Sequence, residues 1–472
     1  MPISPGVQLP SFLFLLPLLL LCCQQGLGQG RPNVLLIITD DQNNYASETS
    51  GVSTITPALD QLRTQSIQFP KAYCASPVCG PSRASLFSGL YPHRTGAYFN
   101  GADPWVTSEP LRLAETLPEL FHRGGYFRWG MGKLYHAGLP DTRAAQWDNR
   151  AAANGGFAPF AEEDYQFTGK FFSVQEWDGP DSDFPDVKSA DAAIEFLHEH
   201  GEEQPFFLVY GLWRPHNPWT APRRFFDLYD PQELPFPPPG YSDQDLEDIS
   251  EAGQELADIF HQRWKKHGAA TPDHWRRILH GYLACTSFAD WNLGRVIEAL
   301  DETNHAQNTL VIVTSDNGYH LGEKHHYGKS TLWEKSAQVP LIIRLPGMQH
   351  AATTCDATVG LIDLYPTLQA LCQLPPPKQQ LDGNDLSPLL TDPKAHWPHP
   401  AITTYGEQRF SLRSGPWRYL RYPDGSEELY DHRVDPHEIT NLANRPETEP
   451  QRRDFRQQIP EQWAPSLGGR KG

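Results

Sequence analysis

Two apolar, branched runs end in paired oxygen donors. Residues 33–39 read NVLLIIT and lead into Asp40-Asp41; residues 309–315 read TLVIVTS and lead into Asp316-Asn317. Such runs suit strands buried on both faces of a parallel sheet. In open α/β sheets, ligands gather beyond the carboxyl ends of the strands. If the two ends meet, Asp40, Asp41, Asp316 and Asn317 offer three carboxylates and one amide. That hard, all-oxygen set suits Ca2+ better than Zn2+. Either pair alone is equally at home capping a turn; the repetition after two buried strands is what points to a metal. The second chemical element is Cys79-Gly80-Pro81-Ser82-Arg83, running on to Gly89. Pro81 fits the first turn of a helix and Gly89 its end. Cys79 then sits at a helix N-terminus, where free amides and the helix dipole favour an anion. A buried structural cysteine before a short helix is the plain alternative.

Further buried runs lie at residues 205–210 (PFFLVY) and 339–345 (VPLIIRL). Between the runs are helical patterns. Thr116 and Glu119 form a capping-box pattern. Val187, Ala190, Ile194 and Leu197 follow helical spacing, with Gly201 as the expected stop. Residues 277–300 are compatible with one long helix feeding the strand at Thr309. The alternation predicts an α/β fold with helices on both faces of the sheet. Pro-rich stretches at 231–240 and 374–378 read as surface linkers. After about Lys394 the texture changes to short aromatic and charged pieces such as WRYLRY at 417–422. The expected organisation is a catalytic domain over 31–393 and a smaller C-terminal subdomain over 394–472, built on an antiparallel sheet.

The chain has 472 residues, 39 Lys+Arg and 57 Asp+Glu, for a net charge of −18. A nucleic-acid binder needs a basic surface, so that class is excluded. Anion binding must be built locally, from a few placed Arg, Lys and His. Residues 12–23 (FLFLLPLLLLCC) form an apolar run too short to span a bilayer, followed by Gly26, Gly28 and Gly30. This resembles a signal peptide over 1–28, although no Lys or Arg precedes it. An uncleaved anchor or a lipid-modified Cys22 is the alternative. Once the signal is removed, no stable membrane insertion is expected. Five cysteines then remain: Cys74, Cys79, Cys285, Cys355 and Cys372. The odd count singles out Cys79, while Cys355 and Cys372 are close enough in sequence to pair. No Asn-x-Ser/Thr sequon occurs, which favours a bacterial periplasmic or secreted setting.

The pattern CGPSRASLFSGLYPHRTG at 79–96 resembles the signature of the formylglycine-dependent sulfatases. The likeness extends to Asp40-Asp41, Gly132-Lys133-Leu134-Tyr135-His136, Asp316-Asn317-Gly318 and Lys329 in YGKSTLWE. Leu429-Tyr430-Asp431, Asp435-Pro436 and Asn441-Leu442-Ala443 resemble the family's C-terminal signature. The resemblance implies the alkaline-phosphatase-like fold, a large mixed and mostly parallel sheet flanked by helices. Within the family, residues 116–138 and 205–219, with Asp290 and Gly294-Arg295, look most like iduronate-2-sulfatases. The loops between Asp141 and Pro185 and between Pro231 and Asp273 are this chain's own.

By that resemblance, Cys79 is oxidised to formylglycine by a maturase during export. As a hydrate it supplies a geminal diol: one hydroxyl attacks sulfur, and the other collapses to aldehyde and expels sulfate. One Ca2+ per chain is implied, bound by Asp40, Asp41, Asp316, Asn317 and residue 79. Asp316 takes the attacking proton and Arg83 orients the diol. Lys133 and Lys329 neutralise the sulfate oxygens. His216 is the acid for the leaving oxygen and His136 the base of the second step. Trp213 and Arg214 are candidates to line a sugar site, and Glu334 is expected behind it. Arg413, Arg418 and Arg421 are candidates to meet a uronate carboxylate, with a solvated strand face as the alternative. The expected substrate is a sulfated oligosaccharide, attacked from its end at a 2-O-sulfated uronate. A formylglycine-dependent phosphonate monoester or phosphodiester hydrolase, and a catalytically silent binder of sulfated glycans, are the rival readings.

Overall fold

The four buried apolar runs deliver strands to one sheet. The computed structural model describes residues 30–46, 51–101, 103–136, 141–149, 156–167, 169–266, 271–346 and 352–468. The expected signal peptide and Cys22 lie outside the described residues. The strands are β1 (Asn33–Asp40), β2 (Ile67–Gln68), β3 (Phe127–Gly132), β4 (Phe206–Pro215), β5 (Thr309–Ser315), β6 (Leu341–Arg344) and β7 (Thr353–Thr354). Their order across the sheet is β7-β2-β6-β5-β1-β4-β3. β1 runs parallel to both β4 and β5, and β3 parallel to β4. β6 is antiparallel to β5 and to β2, so the sheet is mixed but mostly parallel.

The helices that matter to the site are α1 (Pro57–Arg63), α2 (Cys79–Ser88), α3 (Leu117–Arg123), α4 (Pro185–Glu199) and α5 (Pro272–Asp301). Alternate side chains of each strand leave opposite faces. Leu35 and Ile37, with Leu208 and Val311, pack under α1, α4 and α5. Val34, Leu36 and Ile38, with Phe207 and Ile312, pack under α2 and α3. Burying each such side chain stabilises by about 1.5–3 kcal/mol, so the central strand ends are held firmly. The capping box of α3 is present, the Thr116 amide donating to Glu119 Oε2 at 2.7 Å. Helix α4 ends at Glu199 because His200 turns extended; Gly201, the expected stop, is not in the left-handed region.

A four-stranded antiparallel meander follows: β8 (Ala401–Thr404), β9 (Phe410–Ser414), β10 (Trp417–Arg421) and β11 (Glu427–Asp431). Leu420 and Tyr430 on one face pack against Val78, Leu332 and Trp333. Tyr419 and Leu429 on the other face cover Phe455. The five described cysteines are all free thiols, so Cys355 and Cys372 do not pair; Cys372 meets the Tyr126 hydroxyl instead. Among the described residues, no helix is long and apolar enough to cross a membrane.

Candidate active site

Strand register brings the acidic ends together. Thr39 lies opposite Ser315, so Asp40-Asp41 and Asp316-Asn317 leave the sheet side by side. The Asp41 amide donates to Asp316 Oδ1 at 3.2 Å, and Asn317 Nδ2 donates to Asp41 Oδ1 at 2.8 Å. Asp41 takes a left-handed φ of 65°, rare for a residue with a Cβ. Tyr282 of α5 braces that turn. Its hydroxyl donates to the Asp41 carbonyl and accepts from the Asn43 amide, each at 2.8 Å.

Cys79 opens α2, as expected, and Gly89 closes it at φ 68°. The thiol is fully buried, 3.3 Å from Asp40 Oδ1 and 3.8 Å from Asp41 Oδ1. Lys329 Nζ lies 2.6 Å from the sulfur and 2.5 Å from Asp41 Oδ1. Lys133 forms a buried ion pair with Asp40. Its approach depends on two glycines: a Cβ on Gly211 would stand 1.9 Å from the Lys133 carbonyl oxygen, and one on Gly132 would stand 2.1 Å from the Gly211 oxygen.

Three expected contacts are corrected. Arg83 does not reach residue 79; its Nε holds Asp316 Oδ2 at 2.7 Å and its fork takes the carbonyls of Lys133 and Thr39. Arg83 therefore positions Asp316. Arg214 is buried rather than facing a ligand, bonding the carbonyls of Thr220 at 2.9 Å and Phe157 at 3.2 Å. Arg413 and Arg418 are committed inside the fold. Arg418 pairs with Glu334 and lies 2.6 Å from Glu438, while Arg413 lies 3.7 Å from Glu334. Arg421 stands across β10 and β11 from Glu427.

The histidines do converge. His216 Nε2 lies 3.6 Å from Asp41 Oδ2. His136 packs beside Gly80, and its Nδ1 is buried without a partner. Trp213 borders the site, with Lys133 Nζ 5.7 Å from its ring. Three groups near the site went unforeseen: Tyr282 as a brace, Asn100, whose Oδ1 accepts from the Gly80 amide at 3.0 Å, and Phe157, 4.5 Å from the His216 ring. None lies in a recognisable spacing; each reaches the site through the fold.

Burial dominates the electrostatics, and the neighbouring charges decide the outcome. Burial raises Asp40, but Lys133 and the other cations bring it below its usual range. Burial, then Asp40, push the Cys79 thiol well up against Lys133 and Lys329. Burial, then Lys133 and Lys329, push His136 down to about 2, so its imidazole is neutral. Burial also lowers His216, opposed by Asp41 and Asp40. Burial works against the Lys329 ammonium, but Asp41 and Cys79 raise it well above normal.

The residues fit a hard cation. Asp41 Oδ2 and Asn317 Oδ1 are buried acceptors that receive no hydrogen bond. Ligand atoms of Asp40, Asp41, Cys79 and His216 lie within 4.8 Å of one another. Orphaned acceptors of this kind cost free energy unless a donor or a cation satisfies them.

Comparisons with known proteins agree with this geometry. The Sulfatase family profile matches residues 32–374, and the profile "N-sulphoglucosamine sulphohydrolase, C-terminal" matches residues 322–464. A sulfatase of Formosa agariphila is 35% identical over 431 residues, covering 88% of this chain and 83% of that protein. Iduronate 2-sulfatase of Mus musculus is 28% identical over 391 residues, covering 73% and 69%. The solved phosphonate monoester hydrolase of Agrobacterium radiobacter superposes with a TM-score of 0.72 at 21% identity, covering 91% of this chain and 94% of the other. At that identity the likeness speaks for the fold. The family match runs through every strand that delivers the site, from β1 to β6, and on that ground the chain belongs to the sulfatase family of sulfuric ester hydrolases.

Proposed function

We propose that this sulfatase is exported and Ca2+-dependent, that it carries formylglycine at position 79, and that it removes a 2-O-sulfate from a uronate at the end of a sulfated saccharide. The observation that carries the reading is the setting of Cys79, clasped by Lys329 and the two Asp side chains with its proton retained. A protonated, buried thiol is a poor nucleophile, so residue 79 serves the chemistry in another form. Hydrated formylglycine there supplies an oxygen nucleophile together with a way to release sulfate as the aldehyde returns. Because Cys79 is fully buried, a maturase must meet it before the fold closes. Asp40, Asp41, Asp316 and Asn317 are the residues to hold Ca2+, which supplies charge neutralisation for the sulfate oxygens.

The chain's own groups do the rest. Asp40, Asp41 and Asp316 are balanced by Lys133, Lys329 and Arg83, so a bound cation turns the site positive and selects an anion. Lys133 and Lys329 grip sulfate oxygens as point charges. Asp316, oriented by Arg83, accepts a proton from residue 79. His216 gives a proton to the leaving oxygen; burial holds it below its usual value against Asp41 and Asp40, so its charged form relies on the anionic substrate to tip the balance. His136 is held well down by burial, then by Lys133 and Lys329, and is a weak base as it stands; its unpartnered Nδ1 takes the proton of the second step once an anionic group at the site offsets the two lysines. The saccharide and the uronate rest on the likeness to iduronate 2-sulfatase.

A formylglycine-dependent phosphonate monoester hydrolase is the second reading, since enzymes of that activity share this fold. The deciding experiment uses protein made with a formylglycine-generating maturase. Sulfate release is measured on defined disaccharides, including one with a terminal 2-O-sulfated uronate, beside a phenylphosphonate ester. Fastest turnover of the terminal 2-O-sulfate is expected. Faster turnover of the phosphonate would sink the sulfatase reading. Internal desulfation of polymer without preference for ends would sink the exo reading.

A further inference from the structure

One wall of the site is aromatic, and it continues outward. The Phe157 ring lies 4.5 Å from His216 and 4.7 Å from Trp213, with Lys133 Nζ 5.4 Å from its centre. Phe157 meets Phe171 edge-on at 5.6 Å, and Phe171 meets Phe160 edge-on at 5.3 Å. Lys170 Nζ stands 4.6 Å from the Phe160 ring and 5.6 Å from that of Phe171. Phe171 is 37% exposed and Lys170 is exposed. Among the described residues no carboxylate lies within ion-pair distance of Lys170, although Glu162 and Glu163 share its loop. An exposed lysine standing over one exposed and one half-buried ring is unusual in a chain of net charge −18. Core packing does not require it, and apolar surface left open beside a polar site marks a ligand surface.

The shelf is also anchored. Arg214 gives up its charge to the interior and holds the Phe157 carbonyl at 3.2 Å, fixing the inner ring against Lys133 and His216. Its outer rings belong to the loop between Asp141 and Pro185.

We propose that Phe171, Phe160 and Lys170 form a second saccharide subsite. The sugar next to the sulfated one stacks on the rings, and Lys170 pairs with an anionic group, sulfate or carboxylate, on that second sugar. The inference rests on the reading of the enzyme as a saccharide sulfatase. Continuity with Phe157 sets which sugar is held, and the free ammonium sets its charge.

The test measures kcat/KM of maturase-treated wild type, Phe171→Ala, Lys170→Ala and Lys170→Arg. Substrates are a sulfated monosaccharide and disaccharides whose second ring is neutral, carboxylated or sulfated. Phe171→Ala is expected to lower the disaccharide-to-monosaccharide ratio about two- to tenfold, through KM, as for the loss of one aromatic contact. Lys170→Ala is expected to lower the anionic-to-neutral disaccharide ratio by up to about fivefold, as for a solvent-exposed ion pair, and Lys170→Arg to restore it. The carboxylated and sulfated arms separate the two anions. Lys170 is exposed, so its replacement keeps the fold even if Phe171→Ala loosens the loop. Wild-type ratios in both alanine variants overturn the subsite alone. A wild-type enzyme that releases sulfate from aryl esters but from no saccharide overturns the underlying reading and the subsite with it.

Discussion

Asp41 is asked to do two things that oppose each other. It holds a left-handed turn, at a cost of about 1–2 kcal/mol for a residue with a Cβ, and it keeps one carboxylate oxygen free of donors. The turn persists because Tyr282 joins the Asp41 carbonyl to the Asn43 amide. Tyr282→Phe leaves both groups buried and unpaired, costing about 1–3 kcal/mol, and the loosened turn should weaken Ca2+ binding. Ca2+ titration followed by the melting temperature checks this; the wild-type midpoint in the variant would contradict it. Cys79 carries the second residue-scale prediction. Active enzyme should show the aldehyde mass on the peptide containing residue 79, and Cys79→Ala should fold with turnover essentially abolished. Full activity with an intact thiol there would end the formylglycine reading. These residues were legible early because their chemistry is local: carboxylates directly after a buried strand, and a cysteine before a Pro-marked helix start. Arg83 and Arg214 were misread because an arginine's partner is chosen by the fold. Asp316 and Thr220 lie far from them along the chain or behind the strand.

At the scale of elements, the site is a consequence of register. Because Thr39 faces Ser315, the third carboxylate arrives without any loop having to search for it. Four strands, β1, β4, β5 and β6, were readable from their branched apolar runs, and α5 as one long helix-compatible segment, since composition and burial are properties of a single segment; β2, β3 and β7 carry no such run. The partner of each strand, the antiparallel turn of β6 and the brace from α5 were not, since these depend on distant packing. On the proposed reading, a Ca2+ held at these strand ends would support the fold as well as the chemistry. Removing Ca2+ should leave Asp41 Oδ2 and Asn317 Oδ1 buried without a partner, lowering the melting temperature along with activity. Chelation and back-titration, with metal content assayed, test this; an unchanged melting temperature in metal-free protein would contradict it. The approach of β3 to β4 is a separate demand. A methyl on Gly211 would stand 1.9 Å from the Lys133 carbonyl oxygen, and backbone on one side against backbone on the other leaves no flexible atom to give way. Gly211→Ala should therefore cost about 2–4 kcal/mol by overpacking and strain and displace Lys133 from Asp40. An unfolding curve and kcat/KM like those of wild type would show that the strands can shift after all.

Across the whole molecule, the antiparallel sheet is fastened to the larger unit by a buried charge cluster. Arg418 of β10 pairs with Glu334 and Glu438, Tyr73 donates to Glu334 at 2.9 Å, and His432 contacts Glu438 at 2.9 Å. The loop between Lys329 and Glu334 lies between this clasp and Asp41, so loosening the subdomain also loosens the lysine that holds Asp41 and Cys79. Burial raises both carboxyls, but Arg418 and His432 more than offset it, and both end below their usual 4.5. A carboxyl depressed in the folded state contributes stability above its unfolded value, lost as the pH falls through the folded one. Wild type should therefore lose this contribution only below about pH 4.5. In Arg418→Ala the two carboxylates stay buried with His432, the more distant Arg413 and the Lys335 ammonium left to balance them, a loss of about 3–5 kcal/mol at neutral pH. Their pKa values should then rise, so the variant is relieved by mild acid while wild type is not. Comparing the two proteins cancels every other titrating group. The difference in unfolding free energy should be largest near pH 7.5 and shrink steadily toward pH 5. A difference independent of pH would mean that Arg418 stabilises the junction through packing and its carbonyl contact to Leu332 rather than through charge.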